Sequence, residues 1–122
     1  MHALVIEDEP LIAMAIEDVL RVCGFKSFDF AASCQVAIDA ASQRCPDLIT
    51  SDVKLDSSCG IEAVRSICSG AKIPVIFITG NGAEVMRRLP NHQLLDKPFS
   101  DEALIVAVST ALTSAPIQAR RT

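Results

Sequence analysis

Three acids in this sequence stand where a candidate strand stops: Glu7 and Asp8 after the apolar run Ala3–Ile6, and Asp52 after Leu48–Ser51. Thr79 follows Ile73–Ile78 in the same way, and Lys97 follows Gln93–Leu95. Short continuous apolar runs read as strands buried on both faces. In open α/β sheets, ligands bind outside the carboxyl ends of the strands, where the strand order reverses. Three carboxylates, a hydroxyl and an ammonium are therefore expected at one edge. Singly, each is an ordinary capping, turn or surface residue; together they describe a site. Three ionised carboxylates in one place repel one another unless a cation joins them. Oxygen ligands suit a hard ion, Mg²⁺ or Mn²⁺, rather than zinc. Asp8 and Asp52 are the expected direct ligands, with Glu7 acting through water and the Lys54 backbone carbonyl adding an oxygen. Asp52 is the central acid and the expected nucleophile, since carboxylates form aspartyl-phosphates. Lys97 can pair with Asp52 at rest and with a phosphoryl oxygen afterwards, while Thr79 donates to another. Cation, ammonium and hydroxyl would spread the charge of a phosphoryl group in transfer.

The elements that must hold these groups alternate along the chain. Pro10 suits the first turn of a helix whose inner positions are Ile12, Ile16, Val19, Leu20 and Cys23, with Gly24 as its stop. Lys26–Phe30 reads as a peripheral strand, and Asp29 near its end should lie away from the site. Ser33 caps a helix to about Arg44 with Val36, Ala37, Ala40 and Ala41 inward, ended by Pro46. Gly60 opens a third helix with Ile61, Val64, Ile67 and Cys68 apolar, closed by Gly70. Ala83–Leu89 makes a short fourth helix. Ser100 caps the last, whose inner face is Leu104, Ala107, Val108, Ala111 and Leu112, joined by Ile105 and Val106. Five strands and five helices in alternation imply a doubly wound, five-stranded parallel sheet covered on both faces. Residues 1–113 form one domain and 114–122 a frayed tail.

Composition narrows the function classes. The net charge of −4 over 122 residues, without a basic stripe, argues against direct nucleic-acid binding and predicts no DNA-binding domain. Glu7, Asp8 and Glu9 interrupt the first apolar run too soon for a signal peptide, and no run approaches the roughly 18 residues of a membrane span. A cytoplasmic location without membrane contact is the resulting expectation. The five cysteines include no Cys-x-x-Cys pair, which suggests reduced thiols rather than a disulfide framework or a zinc site.

The segments Ile6-Glu7-Asp8-Glu9-Pro10, Ser51-Asp52-Val53, Ile78-Thr79-Gly80 and Asp96-Lys97-Pro98-Phe99 resemble the four signature regions of the receiver domains of bacterial two-component response regulators. The likeness spans Ala3 to about Thr113, and Gly60 falls where receivers place a glycine after the phosphoacceptor loop. It implies the flavodoxin-like strand order 2-1-3-4-5. It also implies phosphoryl transfer to Asp52 from a histidine kinase or histidine phosphotransfer protein, with slow autodephosphorylation. A cis bond before Pro98 is implied as well. The Phe77–Asn81 stretch resembles receivers that are often small stand-alone proteins or parts of hybrid kinases. With no output domain in the chain, the expected signal passes by contact with a downstream protein, from a monomer or weak dimer. Leu94 stands where many receivers carry an aromatic switch residue, and the glycines from Gly80 give the following segment backbone freedom. The alternative class is a receiver-shaped interaction module that takes no phosphoryl group; the intact set Glu7, Asp8, Asp52, Thr79 and Lys97 speaks against it. A flavin-mononucleotide site is excluded by acids where its phosphate loop would be, and a nucleotide site by the lack of a Gly-x-x-x-x-Gly-Lys loop.

Overall fold

The computed structural model describes residues 1–53, 60–68, 73–80 and 93–121, the side chains of 61, 62, 68 and 114–121 excepted. Within it lie β1 (His2–Ile6), α1 (Pro10–Val22), β2 (Ser27–Ala31), α2 (Cys34–Gln43), β3 (Leu48–Ser51), α3 (Gly60–Cys68), β4 (Val75–Thr79), β5 (Gln93–Asp96) and α4 (Asp101–Arg121). The strands form one sheet in the order β2-β1-β3-β4-β5, every pair parallel. This is the doubly wound order that the sequence predicts. The helix expected over 83–89 and the Lys54 carbonyl lie outside the described residues.

Alternation along each strand divides the core in two, because successive side chains face opposite sides of the sheet. Ala3, Val5, Ile76 and Ile78 meet Ile16, Val19 and Leu20 of α1 and Leu104, Ala107 and Val108 of α4. Leu4, Ile6, Ile49, Val75 and Phe77 meet Ala37 of α2 and Ala63 and Val64 of α3. Every residue of β1, β3 and β4 is buried, which matches the apolar runs Ala3–Ile6 and Val75–Ile78, while β3 carries Thr50 and Ser51 into the interior as well. The end of α1 is equally determined. Gly24 takes φ +106°, donates to the Arg21 carbonyl, and lets Phe25 N–H reach the Leu20 carbonyl at 3.0 Å. Phe25 and Leu20, both fully buried, then pack together in the first core layer.

Several expectations change. Val36 points outward, 50% exposed, so α2 turns Ala37 inward and sets Ala40 and Ala41 against the second layer. Ser33 caps the helix as expected, its Oγ accepting from Val36 N–H. Ile105 and Val106 do not join the inner face of α4; both are exposed. Ser100 caps that helix by accepting from Ala103 N–H, and the helix runs to Arg121, past Thr113. β2 starts and ends one residue later than expected, and Asp29 sits at its middle, where His2 Nε2 approaches its carboxylate at 3.0 Å. Ser27 Oγ holds the other ring nitrogen of His2 at 2.8 Å, and Asp47 accepts from the His2 backbone N–H. These bonds clamp the end of the sheet opposite Glu7.

Among the described residues, the Thr50 hydroxyl is buried without a hydrogen-bond partner. It lies on β3 between Val5 and Ile76, in the first apolar layer. Replacing it by a methyl of similar shape removes that desolvation penalty, so Thr50→Val is expected to stabilise the fold by about 1 kcal/mol. Urea unfolding followed by circular dichroism measures this, the chain having no Trp or Tyr. A lower midpoint would show that the hydroxyl is satisfied.

Candidate functional site

Register delivers the acids to one another. Ile6 pairs with Ser51, so the residues that follow, Glu7 and Asp52, leave adjacent strands side by side. The Asp52 N–H donates to the Ile6 carbonyl at 2.9 Å, and the Glu7 N–H to the Ala31 carbonyl at 2.9 Å, continuing the ladders past the strand ends. On the other side Thr79 pairs with Asp96, and Lys97 N–H donates to the Thr79 carbonyl at 3.1 Å. The Lys97-Pro98 bond is cis.

Glu7, Asp8 and Asp52 each present a carboxylate oxygen within 4.8 Å of the other two. The Lys97 ammonium donates to Asp52 Oδ2 at 2.9 Å and to Glu7 Oε1 at 3.0 Å. The Glu7 side chain is almost wholly buried and that of Asp52 nearly so, and Lys97 is largely covered. Glu7 Oε2 also accepts from Glu9 N–H at 3.2 Å, and Asp52 Oδ1 from Val53 N–H at 2.7 Å. Every carboxylate oxygen of Glu7 and Asp52 is thereby oriented. Thr79 is buried on the adjacent strand, next to the element that carries Lys97.

Burial pushes the Glu7 carboxyl above the usual carboxylate range and outweighs the opposing pull of the Lys97 ammonium. For Lys97, burial works against the charge, but hydrogen bonds and Coulomb attraction from Asp52 and Glu7 win and raise it above the ordinary lysine value. The Lys97 charge therefore supports the bridge fully below the ordinary lysine value and is lost as the pH rises through the higher folded one, while at the acid end the bond to Glu7 is lost as the pH falls through that carboxyl's raised value. One ammonium still faces three carboxylates. That imbalance, with oxygen as the only donor type, fits a small divalent cation held by Glu7, Asp8 and Asp52.

The five expected side chains fall at the same sheet edge, and the geometry adds three features that spacing alone did not reveal. Lys97 bridges Glu7 as well as Asp52, across 90 positions of sequence. Ser51 Oγ donates to the Asp52 carbonyl at 2.9 Å. Gly60, the first residue of α3, lies so close that an added Cβ would overlap the Asp52 carbonyl oxygen and stand 2.5 Å from Ser51 Oγ. Only the glycine at 60 hinted at this approach. Leu94 packs half-buried against the second core layer, and a Cβ at Gly80 would meet nothing within 4 Å.

The model for the response regulator receiver domain matches residues 3–109. The regulator PhyR of Methylorubrum extorquens is 35% identical over 113 residues, covering 89% of this chain and 42% of that protein. The transcriptional regulatory protein PdtaR of Mycobacterium tuberculosis is 33% identical over 116 residues, covering 92% of this chain and 57% of its own length. The chain thus spans about half the length of these relatives. Among solved structures, the REC domain of Erythrobacter litoralis PhyR superposes with a TM-score of 0.84 at 35% identity, covering 92% of this chain and 89% of that one. The anti-anti-sigma factor PhyR of Bartonella quintana gives 0.85 at 33% identity, covering 98% of this chain and 50% of that one.

The contact at Gly60 sets a steric test. Gly60→Ala forces the start of α3 away from the Asp52 peptide, and a loss of about 1–3 kcal/mol is expected. Thermal unfolding measures it, and an unchanged midpoint would mean that α3 does not sit against Asp52.

Proposed function

Because this chain belongs to the response regulator receiver domain family, we propose that Asp52 accepts a phosphoryl group from a histidine kinase or histidine phosphotransfer protein. The observation that carries this reading is the meeting of Asp52 with Asp8, Glu7 and the Lys97 ammonium at one sheet edge. An Asp52 carboxylate oxygen forms the new bond to phosphorus. The donor's P–N bond breaks, and its electron pair leaves with the imidazole. Lys97, released from one carboxylate oxygen, follows the charge onto a phosphoryl oxygen. Thr79 donates its hydroxyl to another. Asp8 and Asp52 would hold Mg²⁺ (or Mn²⁺) directly, with Glu7 acting through water and the Lys54 carbonyl adding an oxygen. The ion, when bound, neutralises phosphoryl charge. The reading places the receiver unit at 1–113, in the cytoplasm where such donors act, with output through contact with a downstream protein. No described helix is long and apolar enough to cross a membrane.

Acetyl phosphate with Mg²⁺ supplies the test. Wild type is expected to gain one phosphoryl group by intact-mass spectrometry, lost with EDTA and in Asp52→Asn. Uptake that persists in Asp52→Asn would move the acceptor elsewhere. No uptake in wild type would favour the receiver-shaped interaction module.

The switch is part of the same proposal. Thr79, drawn toward the phosphoryl group, moves the end of β4, and Gly80 in open space lets the chain after it follow. Leu94 pairs with Phe77 on β4 and takes the place of an aromatic reporter. Beryllofluoride with Mg²⁺ is expected to shift the amide resonances of Thr79, Gly80 and Leu94. Unmoved resonances at all three would remove this switch.

A further inference from the structure

Both ends of a single peptide unit, that between Asp52 and Val53, are tied down. Its carbonyl accepts from Ser51 Oγ at 2.9 Å. Its N–H donates to the Asp52 carboxylate, at Oδ1, over 2.7 Å. Rotation of that peptide plane would break both bonds together. Ser51 is 1% exposed, so water offers its hydroxyl no easy alternative partner. The missing side chain at Gly60 leaves room for this arrangement, since a Cβ there would lie 2.5 Å from Ser51 Oγ. The next carbonyl is also engaged: Val53 accepts from Gly60 N–H at 2.7 Å.

From these bonds we infer that Ser51 is a positioning residue for the phosphoacceptor, acting through the 52–53 peptide. The Ser51 hydroxyl fixes the peptide plane, the plane aims Val53 N–H at Oδ1, and that bond sets the rotation of the Asp52 carboxylate. Oδ2 then faces the Lys97 ammonium. An attacking carboxylate held in one rotation starts nearer the reactive geometry than one that turns freely. The inference deepens the proposed phosphoryl transfer and rests on it for its consequence in rate, while the geometric link can be read without any transfer.

The test compares wild type, Ser51→Ala and Ser51→Thr, the last retaining a hydroxyl. Hydrogen exchange of the Val53 amide is measured by NMR in the full chain. It is expected to accelerate roughly three- to tenfold in Ser51→Ala, with the other β3 amides unchanged, and to recover in Ser51→Thr. With acetyl phosphate and Mg²⁺, the maximal uptake rate is expected to fall by a similar factor in Ser51→Ala. The half-saturating acetyl phosphate concentration should stay fixed, and Ser51→Thr should regain most of the rate. A Val53 amide as protected in Ser51→Ala as in wild type overturns the inference. So does a rate loss that Ser51→Thr fails to restore while Val53 protection returns. Should wild type take up no phosphoryl group, the proposed function fails, and Val53 exchange still decides whether Ser51 holds the peptide.

Discussion

Crowding of negative charge is the constraint to which the rest of the structure answers. Three carboxylates share a space less than 5 Å across, two of them nearly out of water. At the effective dielectric of a protein site, each ionised pair repels by on the order of 3 kcal/mol. Lys97 offsets part of that cost by bridging Glu7 and Asp52 at about hydrogen-bond length. A single ammonium cannot balance three acids, and the remainder is a standing attraction for a cation. The same imbalance lets Lys97 be shared, because an ammonium held by two carboxylates can give up one to an incoming anion and keep the other.

Such a cluster survives only on a stiff support. β1, β3 and β4 are buried on both faces, so a shift in register would drag apolar side chains out of both layers. At the strand ends the ladders continue one residue further, through Asp52 N–H to Ile6 and Lys97 N–H to Thr79. Gly60 then brings α3 into contact with the Asp52 peptide, which ties a surface helix to the acid at the centre of the site. Exposed apolar residues lie outside the cluster, among them Leu11, Met14 and Val22 on α1, Phe30 on β2, Val36 on α2, and Ile105 and Val106 on α4. Rigidity is concentrated at the charges, and open apolar surface is left on the outer faces of the helices and on the edge strand β2.

Much of this was legible in the residues. Acids ending buried strands, a threonine ending β4 and a lysine ending β5 indicated one sheet edge, and the parallel order delivered them there. What the sequence concealed depends on angle and distance rather than residue type. Val36 has a core residue's chemistry, yet α2 packs on the sheet through the small side chains of Ala37, Ala40 and Ala41, which leaves Val36 outward. Ile105 and Val106 are apolar like Leu104, but their place on the turn faces solvent. The Glu7 to Lys97 bond joins strands that are not neighbours in the sheet, which no local pattern encodes. Ser51 looked like the last residue of a strand, and only the direction of its Oγ gives it a second role. His2 gave no signal at all, because its partners lie at least 25 residues away.

The most direct measurement is the affinity for Mg²⁺, taken by titration calorimetry on wild type and on Asp8→Asn, a change that keeps the side chain's shape and removes its charge. If the three carboxylates form one divalent site, wild type binds a single ion saturably, and the affinity of Asp8→Asn falls by at least about tenfold. Equal affinity in the two proteins, or no saturable binding in wild type, would contradict the account.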